Sequence, residues 1–463
     1  MNPTKSYGIL RGTQPQHLAV ASAFVLLAVR LFRLVEQYSV NILFGDQWQF
    51  DEATLFQNHS WLEIFRWQHG PHRQGLGGIL SKLFEPLIQW NSRYEAFAIA
   101  GIICLACLAA LWLKQKLFGR IGYADVAIPL LFLTPIQYQV LLETPNPSHG
   151  PLPLLLVVLY CLAWTIRTER RKYVAILVLN LFLTYTGFGL FMGFLTPVFI
   201  AVHCWTLRRW SRISVVALAI SMVSLASFFV GWRYAPEIEC FSPQPHNPLR
   251  YLLFVAFMLA TFVGVFVRQQ LVPAILAGSF LLLIFSVVFG NFIKRSWKEK
   301  AARQPDFTVL MLLSYSLVFA FATAYGRVCI GLSQAQESRY STYLILAFLG
   351  LHLGALSTKI KLERNVFTIL IVGLALVSSF PVRGSQRGAM AELRDHKAAW
   401  RDCYLSGKGI EECDLKTHFA INSSPEPPDL QSKLDYLQRH RLNLFSGLMV
   451  LPSERGVSIS PTQ

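Results

Sequence analysis

Charge is scarce in this chain of 463 residues: 15% are Asp, Glu, Lys or Arg, and 26 acids stand against 42 basic residues. With a hydrophobic share of 53% gathered in long runs, the shortage excludes a water-soluble globular protein and leaves a polytopic membrane protein. Acids are few inside the apolar runs, which argues against an ion-coupled transporter, whose ionisable groups sit mid-membrane on broken helices. No two CxxC motifs are paired as around a structural zinc, and no small-residue cleavage site follows the first apolar run, 18–35. That run carries Arg30 and Arg33 and reads as a retained helix, not a removed signal peptide. The net charge of +16 does not point to nucleic acid, because Lys and Arg cluster at the ends of apolar runs, where the positive-inside rule places them.

Runs near twenty apolar residues predict spans at 18–35, 96–113, 124–142, 150–166, 173–186, 188–206, 213–232, 271–292, 307–325, 341–357 and 366–380. The clusters Lys114/Lys116/Arg120, Arg167/Arg170/Arg171/Lys172, Arg208/Arg209/Arg212, Lys294/Arg295/Lys298/Lys300/Arg303 and Lys359/Lys361/Arg364 then all fall on the side of the N-terminus, the cytoplasm. Residues 250–267 are apolar enough to cross, but a crossing there would invert every later loop, so they read as re-entrant or interfacial. Between 173 and 206, "TYTGFGLF" breaks the run at Gly187 and Gly189 into two short passes.

Three segments remain on the outer face: 36–95, 233–249 and the tail 381–463. In the first, "LFQNHSWLEIFRW" sets Leu55, Leu62 and Phe65 near one helical face, as in a helix lying at headgroup level. In the tail, "PPDLQSKLDYLQRHRLNLF" predicts a helix after Pro428 with Leu430, Leu434 and Leu437 in register, part of a small cap over the outer loops. Cys104, Cys107, Cys161 and Cys204 lie in predicted spans as small apolar residues. For Cys403 and Cys413, ten positions apart in the tail, the spacing leaves a disulfide open.

The densest polar segment is the first outer loop. Asp46 in "FGDQWQF" is followed by Asp51 and Glu52, then by His69, His72, Arg73 and Gln74 in "QHGPHRQGLGG". One acid just beyond a helix end is ordinarily a solvated loop residue. This company, held at a membrane surface by Trp-rich segments, suits a reaction between a lipid-borne anion and a polar acceptor. A carboxylate there can deprotonate an acceptor hydroxyl or hold a divalent metal, and the planar fork of Arg73 can pair with phosphate. A second constellation, "YGRVCIGLSQAQESRY" at 325–340, carries Arg327 and Arg339 flanked by Tyr325 and Tyr340. It serves either as an interfacial anchor or as a clamp on lipid phosphate, with Glu337 as an orienting partner. In "ETPNPSHG", 143–150, Glu143 and His149 can line the same cavity, although Pro145, Pro147 and Gly150 read first as an ordinary turn.

These stretches resemble a known pattern. "GDQW" after the first span, with "HR" later in "GPHRQGLGGILSKLF", resembles the Asp-Asp-Trp and Asn-Glu-His-Arg elements of a broad group of bacterial multi-pass membrane proteins similar to the GT-C integral-membrane glycosyltransferases. "GRVCIGLSQAQESRYSTY" resembles their later Arg…Gly…Ser-Arg-Tyr-Thr-Thr element. The resemblance implies an all-α, GT-C-like bundle over 1–380 with about eleven transmembrane helices, an active site in the outer loop 36–95, and an extracytoplasmic C-terminal segment over 381–463. It implies a bacterial inner-membrane enzyme with a cytoplasmic N-terminus that moves a sugar from a polyprenyl-phosphate donor to a glycan or lipid acceptor at the extracytoplasmic face. Inversion at the anomeric carbon fits a single catalytic base.

Carried onto this chain, the pattern makes Asp46 the general base or the acid that positions a divalent cation, Mg or Mn. His72 and Arg73 match the His-Arg pair, and Arg339 and Tyr340 the Arg-Tyr pair. Trp48, Asp51, Glu52, His69 and Arg327 complete the expected substrate-binding set. The chain departs from the pattern at Gln47, where a second acid is expected, and at Gly70-Pro71 in place of Asn-Glu. Asp51 or Glu52 would then supply the missing carboxylate. Competing readings are a polymerase or ligase of polyprenyl-linked glycans, a non-catalytic component of envelope assembly, and a transporter. A polymerase usually keeps its arginines in a large later loop, whereas here the densest polar loop comes first.

Overall fold

The computed structural model describes residues 15–233, 247–298, 304–380, 384–422 and 429–447. Most of the outer segment 233–249, Lys300 and Arg303 of the basic cluster, Pro428, and residues 381–383 and 448–463 of the tail fall outside them. The described chain is all-α, with seven helices long and apolar enough to cross a membrane: Pro15–Tyr38, Ser92–Phe118, Gly187–Thr206, Leu271–Arg295, Gln304–Arg327, Ser338–Ser357 and Lys361–Ser379. Some of these helices begin or end on local chemistry. Before Ser92–Phe118, for instance, the Asn91 side chain accepts from the Arg93 and Tyr94 amides at 3.0 and 3.3 Å, and Gly119 at φ +72° closes the other end.

The other expected spans are shorter. Pro151–Trp164 and Arg212–Phe228 are short apolar helices, and Glu169–Tyr185 opens on charged residues. The interruption at Gly187–Gly189 falls where the sequence placed it, as a single 3-10 turn between Glu169–Tyr185 and Leu190–Thr206. The segment expected to cross at 124–142 is not one helix: it divides into Tyr123–Val126, Ala127–Phe132, Pro135–Gln137 and Gln139–Leu142. Pro135 lacks an N–H and drives Thr134 to an extended ψ of 138°, so carbonyls before the break lose their helical partners. Side chains replace them. Gln137 Nε2 donates to Phe132 O at 2.6 Å, and Arg30 donates to Leu133 O at 3.0 Å and to Ser379 O at 2.6 Å. Lys114, counted above among the basic loop residues, is instead buried in an ion pair with Asp125, whose other oxygen meets His352 Nε2 at 3.0 Å.

Residues 250–267 comprise most of helix Pro248–Ala260 and the turn that follows it. Tyr251 near the start of helix Pro248–Ala260 stacks on Tyr325, and Phe262 at the far end lies 4.2 Å from Phe348, half-way along Ser338–Ser357. The chain then turns back, with Val267 N–H donating to Gln336 Oε1 at 2.6 Å and Gln336 Nε2 donating to Val265 O at 2.7 Å. The start and the end of this segment therefore both lie beside residues 325–336. The following helix passes so close that a β-carbon on Gly278 would lie 2.1 Å from Ala256 O.

The interfacial helix expected in "LFQNHSWLEIFRW" divides at Asn58 (φ +46°) into the π-turn Glu52–Phe56 and the helix Trp61–Arg66. Ser60 and Glu63 form a capping box that starts a new helix there. Leu55 is consequently buried, Leu62 exposed, and Phe65 stacked on Tyr185, so the three share no face. The tail caps this loop. Helices Gly384–Leu405, Ile410–Thr417 and Leu430–His440 pack Trp400, Cys413, Leu434 and Leu437 against Ile42, Leu43 and Trp48. Leu430, Leu434 and Leu437 are all buried, in the expected register. Cys403 and Cys413 are disulfide-bonded, with Cα atoms 5.7 Å apart, while Cys104, Cys107, Cys161 and Cys204 are free and buried.

Candidate functional site

At the capped end of the bundle the chain reverses at Gly45, whose φ of +56° favours glycine and whose N–H donates to Ile421 O at 2.8 Å. Asp46 follows, and its carboxylate stands 3.8 Å from the Arg339 guanidinium, with 34% and 37% of the two side chains exposed. This is a loose, partly exposed pair, not a buried salt bridge. Arg339 also lies over the Tyr340 ring at 5.8 Å. Gln139 ties the later motif to the 139–143 turn: its Nε2 donates to the Glu337 carboxylate and its Oε1 accepts the Arg339 N–H at 2.9 Å. Glu143 belongs to the same cluster. Burial holds its carboxyl above the usual range, Arg339 acting against the shift and Glu337 with it.

The stretch "QHGPHR" is a β-hairpin with His69 opposite His72 and a two-residue turn opened by Gly70 at φ +53°. The Gly70-Pro71 departure is therefore turn chemistry. His69 meets Phe50 edge-on at 4.4 Å, His72 meets Phe188 at 4.1 Å, and His149 lies 4.6 Å from Phe50 and 5.3 Å from His72. Burial lowers all three imidazoles, His72 to about 3, so they are neutral at pH 7. At His69 the nearby Asp46 carboxylate opposes that shift, and Arg327 and Arg339 reinforce it. Asp46, His69, Arg327 and Arg339 thus share one electrostatic environment.

Other residues of the expected set are placed elsewhere. Arg73 is buried between Tyr185 and Phe228, and its guanidinium donates to Phe228 O at 2.8 and 3.0 Å, to Val230 O at 3.0 Å and to Arg66 O. It caps the C-terminal end of Arg212–Phe228 and leaves no fork for phosphate. Trp48 is fully buried under the tail, with Nε1 donating to Ile421 O at 3.1 Å. Glu52 pairs with Lys433 of the tail at 2.5 Å. Asp51 is buried with Glu85 and Glu95 as acidic neighbours, and burial pushes its carboxyl up to about 7. Gln47 explains the missing second acid, since its Nε2 donates to Glu95 Oε2 at 3.0 Å and to Pro145 O at 3.1 Å. A carboxylate there would face another carboxylate.

Sequence reasoning missed Lys397. It projects from the tail helix Gly384–Leu405, is buried over Phe44, and donates to Leu142 O at 2.8 Å and Glu143 O at 2.7 Å. Burial lowers its ammonium to about 7, against the pull of Glu143 and Glu95. A lysine on a polar tail helix gives no signal of this in sequence. Glu85 and Glu95 were likewise hidden, each reading as one acid near an apolar run.

No family model, curated protein or solved structure matches the chain. A divalent cation does not fit the site as built. Among the described residues no three His, Cys, Asp or Glu side chains are grouped to hold a metal ion, and Asp46 faces a guanidinium where a cation would sit. The arrangement can still perform proton transfer and anion binding: a partly exposed carboxylate, two arginines from the later motif, and neutral imidazoles that can hydrogen-bond a polar substrate.

Proposed function

We propose that the protein is a GT-C-like glycosyltransferase of about eleven membrane passes, moving a sugar from a polyprenyl-phosphate donor to a glycan or lipid acceptor at the outer face of a bacterial inner membrane. The reading rests on the motif resemblance and on one observation: Asp46 and Arg339, far apart in sequence, stand 3.8 Å apart and partly exposed, both acting on His69. Asp46 takes the proton of the acceptor hydroxyl as that oxygen attacks the anomeric carbon. The bond from that carbon to the phosphate oxygen breaks with inversion, and its electron pair leaves on the lipid phosphate. Arg339 and Arg327 stabilise the departing charge, with Arg327 in place of Arg73 as the partner of Arg339. His69 orients a sugar hydroxyl. No metal takes part in these steps.

The test is transfer of label from a panel of polyprenyl-phosphate sugars to membrane acceptors, wild type against Asp46→Asn at matched folded protein. The expected loss is on the order of 100-fold or more, the usual weight of a general base. Equal rates in the two proteins would remove Asp46 from the chemistry, and a product retaining the donor's anomeric configuration would exclude the single-base route.

A further inference from the structure

The opposite end of the bundle has a cavity that the Asp46 chemistry does not use. Helices Leu271–Lys298 and Lys361–Ser379 stand apart, with Ser338–Ser357 as the floor between them, and enclose about 580 Å³. Ile284 and Val288 form one wall, Leu370 and Leu374 the other, and Gly354 part of the floor. Polar groups gather at one end only, where Arg295 lies beside Asn291, Thr358 and Glu363. From Phe280 to Arg295, at 1.5 Å per helical residue, the lined length is about 22 Å, more than one leaflet of a hydrocarbon core roughly 30 Å thick.

Two features select the occupant. Arg295 leans over the Phe292 ring at 5.6 Å and makes no hydrogen bond or ion pair with any described residue, so its guanidinium is free to meet an anion. Lys294, Lys359, Lys361 and Arg364 flank the same end in sequence, and Glu363 is the one acid among the lining residues. A long apolar trough ending in an unmatched guanidinium within a basic rim has the shape and charge of an anionic lipid lying along the bundle. We propose that this gap binds one anionic glycerophospholipid, an acyl chain along the walls and the phosphate at Arg295. The site is independent of sugar transfer.

Native mass spectrometry of the full-length protein, released from micelles holding equal amounts of phosphatidylglycerol and phosphatidylcholine, tests it. Wild type is expected to retain one phosphatidylglycerol in preference to phosphatidylcholine by roughly fivefold, the weight of one basic side chain at a membrane surface. Arg295→Gln should bring the ratio close to one. Gly373→Phe should remove the retained lipid, because position 373 lines the gap and a β-carbon there meets no atom within 4 Å, so the ring fills space without displacing a packed neighbour. Equal retention of the two lipids by wild type, or undiminished retention by Gly373→Phe, would mean ordinary annular lipid and overturn the proposal.

Discussion

Asp51 shows how far a residue's role can lie from its motif. It follows Asp46 closely enough in sequence to look like the second catalytic acid, yet it is buried, and burial pushes its carboxyl from 3.8 to about 7. A carboxyl whose folded value is raised binds its proton more tightly in the folded state, so its contribution to stability is present below about pH 4 and is lost as pH rises towards and past 7. Glu85, also raised by burial, acts in the same direction. Because the buried His69, His72, His149 and Lys397 act in the opposite direction, the comparison is made against the variant: the thermal midpoint of Asp51→Asn should rise relative to wild type as pH goes from about 4 to about 7. Parallel curves would mean that Asp51 is ionised in the folded protein. At this scale the sequence singled out Asp46 and Arg339 as candidates through the polar company they keep and the short motifs in which they stand. It could not reveal that Trp48, Glu52 and Arg73 serve packing, because their partners Ile421, Lys433 and Phe228 lie far along the chain.

Breaks in elements were legible where their cause is local. Gly187, at φ +51°, breaks the run through a backbone conformation that favours glycine, and Gly189 through close approach, since a β-carbon there would lie 2.6 Å from Leu183 O. At 124–142 the local cause, Pro135, stood in the sequence, but the donors that satisfy the broken ladder, among them Arg30 and Gln137, did not show there. The hairpin Gln68–Arg73 is the corresponding case in the loop that carries Asp46: Arg73 fastens it to the end of helix Arg212–Phe228. Arg73→Lys keeps the charge but loses the fork, leaving carbonyls without donors. It should lower stability by about 2–3 kcal/mol, read as a drop in the thermal midpoint, while the transfer rate per folded molecule stays near wild type. Normal stability with a selective rise in donor KM would instead put Arg73 on the phosphate.

The molecule as a whole joins two packed bodies, the apolar bundle and a tail that seals the loop after the first long helix through Trp400, Leu434 and Leu437. The tail also drives Lys397 down to the 142–143 carbonyls, next to Glu143. Composition announced the bundle and leucine spacing announced the tail helix. The convergence of the 46, 139–143 and 325–340 segments exists only in the folded chain. That convergence is the central claim, and a double-mutant cycle on label transfer tests it most directly. Asp46→Asn and Arg339→Gln should each slow transfer by about 100-fold or more, and the double variant should be little slower than either single one, because the two act as one unit. Effects that multiply, or an Arg339→Gln variant at wild-type rate, would contradict the account.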